Sequence, residues 1–423
     1  MALAEKCPTY CRNLLTYGAN LNVASRTTIL TLGGLLSFLA FGFIDNLKGA
    51  TLPEILRAEE LDYAQGGELL LAAYLGFILA TLVTGALADA VGNKFILLLS
   101  GALLSIGLIG IGFVTEPNTM ATMLLIMGLG LGAIEVGANG LMLDLHPHSP
   151  GRFLNLLATF HGIGSLLVPL YVAALLTADY RWQTVYMSTA LLALPLIAIF
   201  FGSPKRPVAS HAAKPRTNNN SGADIEKRSG NVWRIAFKPK MLLYYALIAT
   251  YVSVELGTAA WMVEYMQEVR GLSVSSSSLA LSGFFAMIML GRLTGAWLIE
   301  RLPYLAAVAG GLGGGILCIA AGLFGPSQCY LFLPASGLFL SIIFPTVTAQ
   351  VANMFETGRG TVMGILFTFG GIGGALGPWA IGQVAARFTL QTGMAITIAF
   401  GVASLLALCA IQLSSQRPER ALT

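Results

Sequence analysis

The chain has 423 residues, of which 56% are hydrophobic and only 10% charged, with a formal net charge of +4 and a mean hydropathy of +0.75. That composition excludes an ordinary soluble domain, where roughly a quarter of the residues are charged. The small positive balance supplies no basic tract for nucleic acid.

A helix crossing a bilayer needs about 20 mostly apolar residues. Twelve such runs follow one another, at 27–56, 65–88, 94–114, 118–145, 152–177, 183–202, 241–267, 273–299, 303–324, 328–354, 360–386 and 391–413. The alternating strands of a closed barrel are absent. With the N-terminus inside, 19 Lys and Arg fall on the inner side, Arg292 and Arg301 among them, against 4 on the outer side, and Lys48 remains within the first span. This asymmetry puts both termini in the cytoplasm. Residues 1–25 lack the apolar core of a cleavable signal, so the first span directs the chain to the cell membrane. Five cysteines (Cys7, Cys11, Cys318, Cys329, Cys409) are too scattered for a disulfide framework or a metal site.

One long polar segment, 203–240, reads as a cytoplasmic linker and separates residues 1–202 from 241–423, six spans each. The halves repeat. "TFHGIGSLLVP" (159–169) returns as "TFGGIGGALGP" (368–378), with Thr, Phe, Gly, Ile, Gly and Pro in register at an offset of 209. "GALADAVGNK" (85–94) has a weaker echo in "GAWLIERLPY" (295–304), which keeps an acidic residue at Glu300. The predicted fold class is therefore an all-α membrane protein of twelve transmembrane helices in two pseudo-symmetric six-helix bundles. Repeats of this kind mark secondary transporters, whose substrate site lies near midplane between the halves.

Ionisable groups at membrane depth cost roughly 2.5–3.5 kcal/mol and usually face a cavity or a partner. Those within the predicted spans and away from their ends are Asp45, Lys48, Glu135, His161 and Glu255. Asp45 and Lys48 stand i,i+3 on one helix and can touch; with Glu135 they form a candidate ion-coupling or charge network. Sugars present hydroxyls on an apolar ring, so their sites combine carboxylates and amides with an aromatic face. Asn46, Glu135, Asn139, Asn155, His161, Glu255, Trp261 and Gln350 supply those types, with Thr368 as a further polar contact. No nucleotide loop, zinc-protease motif or nucleophile elbow occurs, so neither an enzyme nor a cofactor is expected.

"GALADAVGNK" fits the G-x-x-x-D-x-x-G-x-[RK] signature of the major facilitator superfamily. The resemblance makes Gly85, Asp89, Gly92 and Lys94, with Glu300 and Arg301 of the second copy, a cytoplasmic gate. Within that superfamily the chain resembles the fucose–galactose–glucose:proton symporter family and its sodium–glucose transporter-like relatives. The resemblance is carried by "NLKGATLP" (46–53), "EVGAN" (135–139), "RFLNLLATFHGIG" (152–164), "YVSVELGTAAWMVEY" (251–265) and "GLFLSIIFPT" (337–346). It implies that Glu135 shares proton coupling and sugar recognition, with Asn139 the amide that follows it. His161 stands where fucose members have a sugar-facing asparagine, and Glu255 and Trp261 match a polar–aromatic pair of many relatives. The chain departs from the fucose members in its first span. Their second acidic residue is replaced by Gly49, preceded by Lys48, and Asp45 replaces an asparagine, so their two-carboxylate proton pathway is not reproduced. The resulting expectation is a monomeric secondary transporter of a hexose or related small sugar, working by alternating access, with proton or sodium as candidate coupling ions. Alternatives are an exporter of amphipathic drugs or lipids, and a non-transporting sensor on the same fold.

Overall fold

The computed structural model describes residues 7–202, 237–299, 301–355 and 359–416. Most of the predicted linker, and Glu300, lie outside the described residues. Among the described residues twelve helices are long and apolar enough to cross a membrane. They are α1 (Cys7–Ala58, crossing from Thr27 onward), α2 (Tyr63–Val91), α3 (Asn93–Ile111), α4 (Pro117–Leu145), α5 (Pro150–Thr177) and α6 (Trp182–Gly202). The second set is α7 (Pro239–Glu268), α8 (Val274–Ile299), α9 (Tyr304–Phe324), α10 (Ser327–Asn353), α11 (Arg359–Arg387) and α12 (Leu390–Gln416).

Local chemistry sets the helix ends and breaks. At the start of α2 the Asp62 side chain accepts from the Gln65 N–H at 2.8 Å, and the Gln65 side chain accepts from the Asp62 N–H at 3.0 Å, a reciprocal cap. Its other end closes on Gly92, whose N–H bonds to the Ala88 carbonyl at 2.8 Å. Gly92 has φ of 88°, a conformation that only glycine adopts cheaply, which explains the glycine of the signature. Two helices yield to prolines. α10 loses helical geometry at Ser341–Ile342, where Pro345 offers no N–H to the Ser341 carbonyl and its ring crowds that turn. α6 passes through a 3-10 turn at Ala190–Leu192 for the same reason at Pro195.

The two sets are built on one plan. In the first, α1 packs on α5, and α2 and α3 pack on α4; in the second, α7 packs on α11, and α8 and α9 pack on α10. Contacts between the sets join α2 to α11, α5 to α8 and α1 to α7. A pseudo-two-fold axis exchanges the first two of these contacts and maps the third onto itself. The repeated glycines show why the sequence block recurs. Gly164 lies against the Leu39 carbonyl of α1, and Gly373 lies against the Ala249 carbonyl of α7; a Cβ at either would collide with that oxygen. Helices in lipid approach this closely only through small residues.

Cross-set contacts are firmest on the side away from the linker. There the Arg57 guanidinium donates to Gln267 Oε1 at 2.8 Å. Gly67 faces the backbone of Trp379 and Gly382, and Gly49 faces that of Ala260. Tyr63 meets Trp261 edge-on, with ring centroids 5.8 Å apart, and its hydroxyl donates to Glu264 Oε1 at 3.4 Å. Nearer the middle, Ser282 of α8 donates to the Leu166 carbonyl of α5 at 2.9 Å. On the linker side, Gly85 has no atom of the described residues within 4 Å of its Cβ position, and Asp89 is exposed. The bundle is sealed on the far side.

Candidate functional site

Below that seal the halves enclose two adjoining hollows that share Asp45, Asn46 and Leu256. One is completed by Lys48 and Tyr74, the other by His161, Ser165, Glu255 and Arg292. α1 supplies the charged floor. Lys48 Nζ lies 2.6 Å from Asp45 Oδ1, with side chains 4% and 13% exposed, as the i,i+3 spacing predicted. The ammonium also sits 5.0 Å from the centroid of the Tyr74 ring, a second favourable contact for a buried cation. Asn46 uses both amide hydrogens, toward the Gly42 carbonyl at 2.9 Å and Ser165 Oγ at 3.0 Å. Ser165 in turn donates to the His161 carbonyl at 3.0 Å. Asn46 therefore presents its carbonyl oxygen to a ligand, an acceptor for hydroxyl donors.

His161 is held by aromatic edges, 4.7 Å from the Phe41 ring centroid and 6.4 Å from that of Phe38; Phe41 stacks on Phe77 at 6.1 Å. Across the cavity, Glu255 takes a hydrogen bond from Tyr251, whose hydroxyl also lies 2.9 Å from the Leu340 carbonyl at the break in α10. One hydroxyl hydrogen cannot serve both acceptors fully, so the break and the carboxylate compete for it. Asp45 and Glu255 are also equivalent in the repeat. They are 210 positions apart, the same separation as Leu39 and Ala249, the two carbonyls that receive the matched glycines. The carboxylates are thus one position of the ancestral repeat, brought to a single cavity from both halves.

Other predicted residues sit elsewhere. Glu135 and Asn139 pair within α4, Asn139 Nδ2 donating to the Glu135 carbonyl at 2.7 Å and to Oε1 at 3.1 Å. Both are half-buried and line neither hollow, although Glu135 feels the charge of Asp45. Trp261 is fully buried and its indole N–H donates to the Pro378 carbonyl at 2.8 Å. It belongs to the far-side seal, so the expected aromatic platform is placed by the structure in the gate. Asn155 is exposed, Gln350 bonds to Tyr244, and Thr368 donates to its own helix at Gly364, 2.9 Å away.

Three polar cavity residues were not anticipated from sequence, Tyr74, Ser165 and Arg292, nor was Tyr251, which holds Glu255 from behind the lining. One of them, Ser165, carried a readable signal, which it shares with His161. His161 and Ser165 stand where the second copy of the repeat has Gly370 and Gly374, and they are one helical turn apart on one face. Departure from internal symmetry marks the polar wall. Arg292, counted above with the inner-side charges, instead lines the cavity from within α8.

Of the gate residues, Asp89 makes no hydrogen bond or ion pair among the described residues, and Lys94 and Arg301 do have partners. A gate role for Asp89 would therefore rest on contacts made in the opposite, linker-side-closed state. Asp89→Asn is expected to shift the population toward the state seen here, by up to about fivefold for a helix-terminal charge. In a cysteine-free background, labelling at Asn155→Cys should rise and at Gln267→Cys should fall. Unchanged labelling at both positions would remove Asp89 from the gate.

Twelve apolar helices in two related halves, closed over a charged cavity from one side, define a polytopic membrane transporter. The chain belongs to the Major Facilitator Superfamily, whose family model matches residues 30–378. It is 26% identical over 362 residues to the L-fucose-proton symporter of Escherichia coli (strain K12), covering 76% of this chain and 80% of that protein. It is 23% identical over 301 residues to the niacin transporter NiaP of Acinetobacter baylyi, covering 66% of this chain and 68% of that one. Its fold is similar to that of the D-xylose-proton symporter crystal structure, with a TM-score of 0.71, 14% identity, and coverage of 91% and 97%. The chain is thus a multi-pass membrane transporter and not an enzyme.

Proposed function

We propose that this transporter moves a hexose or related small sugar by rocking its two six-helix halves about the central cavity. The observation that carries this reading is the cavity's polar set. The carboxylates of Asp45 and Glu255 and the carbonyl of Asn46 are acceptors directed at one space, beside the apolar side chains of Leu256, Phe285 and Ile288. Sugar hydroxyls need such acceptors, and the ring's apolar face needs such a wall. The relative named for L-fucose supports the same reading; the one named for niacin carries a different cargo. A wide apolar cavity suited to drugs or lipids does not accommodate this density of charge.

The excess of Lys and Arg on the linker side supports cytoplasmic termini, so that the linker-side opening faces the cytoplasm. Proton or sodium drives accumulation, and the working unit is a monomer, since each chain carries a complete cavity. The test is uptake of labelled sugars into proteoliposomes of the purified protein, with and without proton and sodium gradients. Saturable uptake of a hexose is expected, enhanced by one of the gradients. Failure of every hexose, deoxyhexose and pentose to enter would reject the sugar assignment.

A further inference from the structure

Arg292 lies seven residues before the end of α8, its side chain exposed and lining the hollow that also holds Asp45, Asn46, His161 and Glu255. Every other charged or amide group of that cavity is engaged. Lys48 is paired with Asp45, Glu255 is hydrogen-bonded by Tyr251, and the amide hydrogens of Asn46 are engaged by Gly42 and Ser165. Arg292 is not. It feels the charge of Glu255 but makes no ion pair or hydrogen bond among the described residues. A guanidinium has five N–H donors in a rigid fork and no acceptor, a shape that matches a carboxylate in bidentate fashion. A neutral sugar hydroxyl uses that fork poorly.

We propose that the substrate is an acidic sugar, a hexuronate, whose carboxylate is bound by Arg292 while its hydroxyls donate to Asp45, Glu255 and the Asn46 carbonyl. This rests on the sugar assignment above and narrows it. The cavity sorts its contacts by chemistry: acceptors on α1 and α7 face hydroxyl donors, and the donor fork on α8 faces the carboxylate. The α8 stretch beside Arg292, with Phe285, Ile288 and Met289, gives the ring an apolar wall between them.

The test is binding of labelled matched pairs to purified full-length protein, glucose with glucuronate and galactose with galacturonate, so that each pair differs at one carbon. In one pair the wild type is expected to bind the uronate about tenfold or more tightly than the hexose, as a charge-assisted bidentate contact allows. Arg292→Gln should weaken uronate binding by about tenfold to a hundredfold and change hexose binding by less than about threefold. Arg292→Lys, which keeps the charge without the fork, should lose only part of the preference; it carries the test if the glutamine variant is not monodisperse in detergent. Hexose binding that is as tight as uronate binding, or equal weakening of both by Arg292→Gln, would overturn the proposal and leave the sugar assignment standing. Binding of neither member of either pair would overturn the uronate proposal, while the sugar assignment falls only if every hexose, deoxyhexose and pentose also fails in the uptake assay.

Discussion

Lys48→Met is expected to destabilise the folded protein by about 3–5 kcal/mol, because it strands the Asp45 carboxylate without its cation. The pair is deeply placed, with Lys48 4% and Asp45 13% exposed, and the contact is short at 2.6 Å. Methionine replaces the lysine stem in length and keeps contact with Tyr74, so lost packing is a small part of the effect. Asp45→Asn alone should also destabilise, since it leaves a buried ammonium, although the Tyr74 face 5.0 Å away softens that loss. Joining the two changes removes both charges together. The double variant should recover most of the stability, as buried ion pairs replaced by neutral groups commonly do. Thermal unfolding of the detergent-solubilised protein measures all four members of the cycle. A Lys48→Met variant as stable as wild type would show that water reaches the pair and that the two charges are not coupled.

The spans were legible because lipid imposes one rule on every segment: about 20 apolar residues with internally satisfied backbone. The repeat was legible for a related reason. Close helix approach demands glycine at Gly164 and Gly373 alike, and the sequence records that demand twice. The site was harder to read. A charge inside a span announces itself, so Asp45, Lys48, His161 and Glu255 could be named, but sequence does not say which way a side chain points. Trp261 shows the difficulty: an aromatic beside a carboxylate suggests a sugar platform, yet a buried indole N–H needs an acceptor and finds the Pro378 carbonyl. Arg292 shows the reverse. Close to the end of a span, an arginine is ordinarily a topology signal, and only the packing of α8 against α5 turns it into the cavity. The equivalence of Asp45 and Glu255 required the register of α1 against α5 and of α7 against α11, which no pairwise motif supplies.

Glu135→Gln is expected to abolish gradient-driven accumulation while leaving exchange intact. Glu135 is the sole ionisable residue between Met120 and Met142, yet it does not line the cavity and its Oε1 is engaged by Asn139 at 3.1 Å. Glutamine preserves that acceptor and the side-chain volume, so folding should change little. The variant removes a charge in α4 that neighbours the Asp45 carboxylate of the cavity. A group so placed affects the energetics of the cavity more than its shape. In the proposed cycle, counterflow of labelled substrate at equal concentrations should therefore persist, with substrate affinity changed by less than about threefold, the scale of one neutralised charge at a distance. Under an imposed proton or sodium gradient, the wild type should accumulate substrate and the variant should only equilibrate it, since a coupling ion needs a site whose charge changes with occupancy. Proteoliposomes report both quantities from one preparation. Accumulation by Glu135→Gln equal to that of wild type would reduce the carboxylate to a hydrogen-bond partner of Asn139. Loss of affinity with accumulation preserved would instead place it in direct contact with substrate during the part of the cycle in which α4 turns toward the cavity.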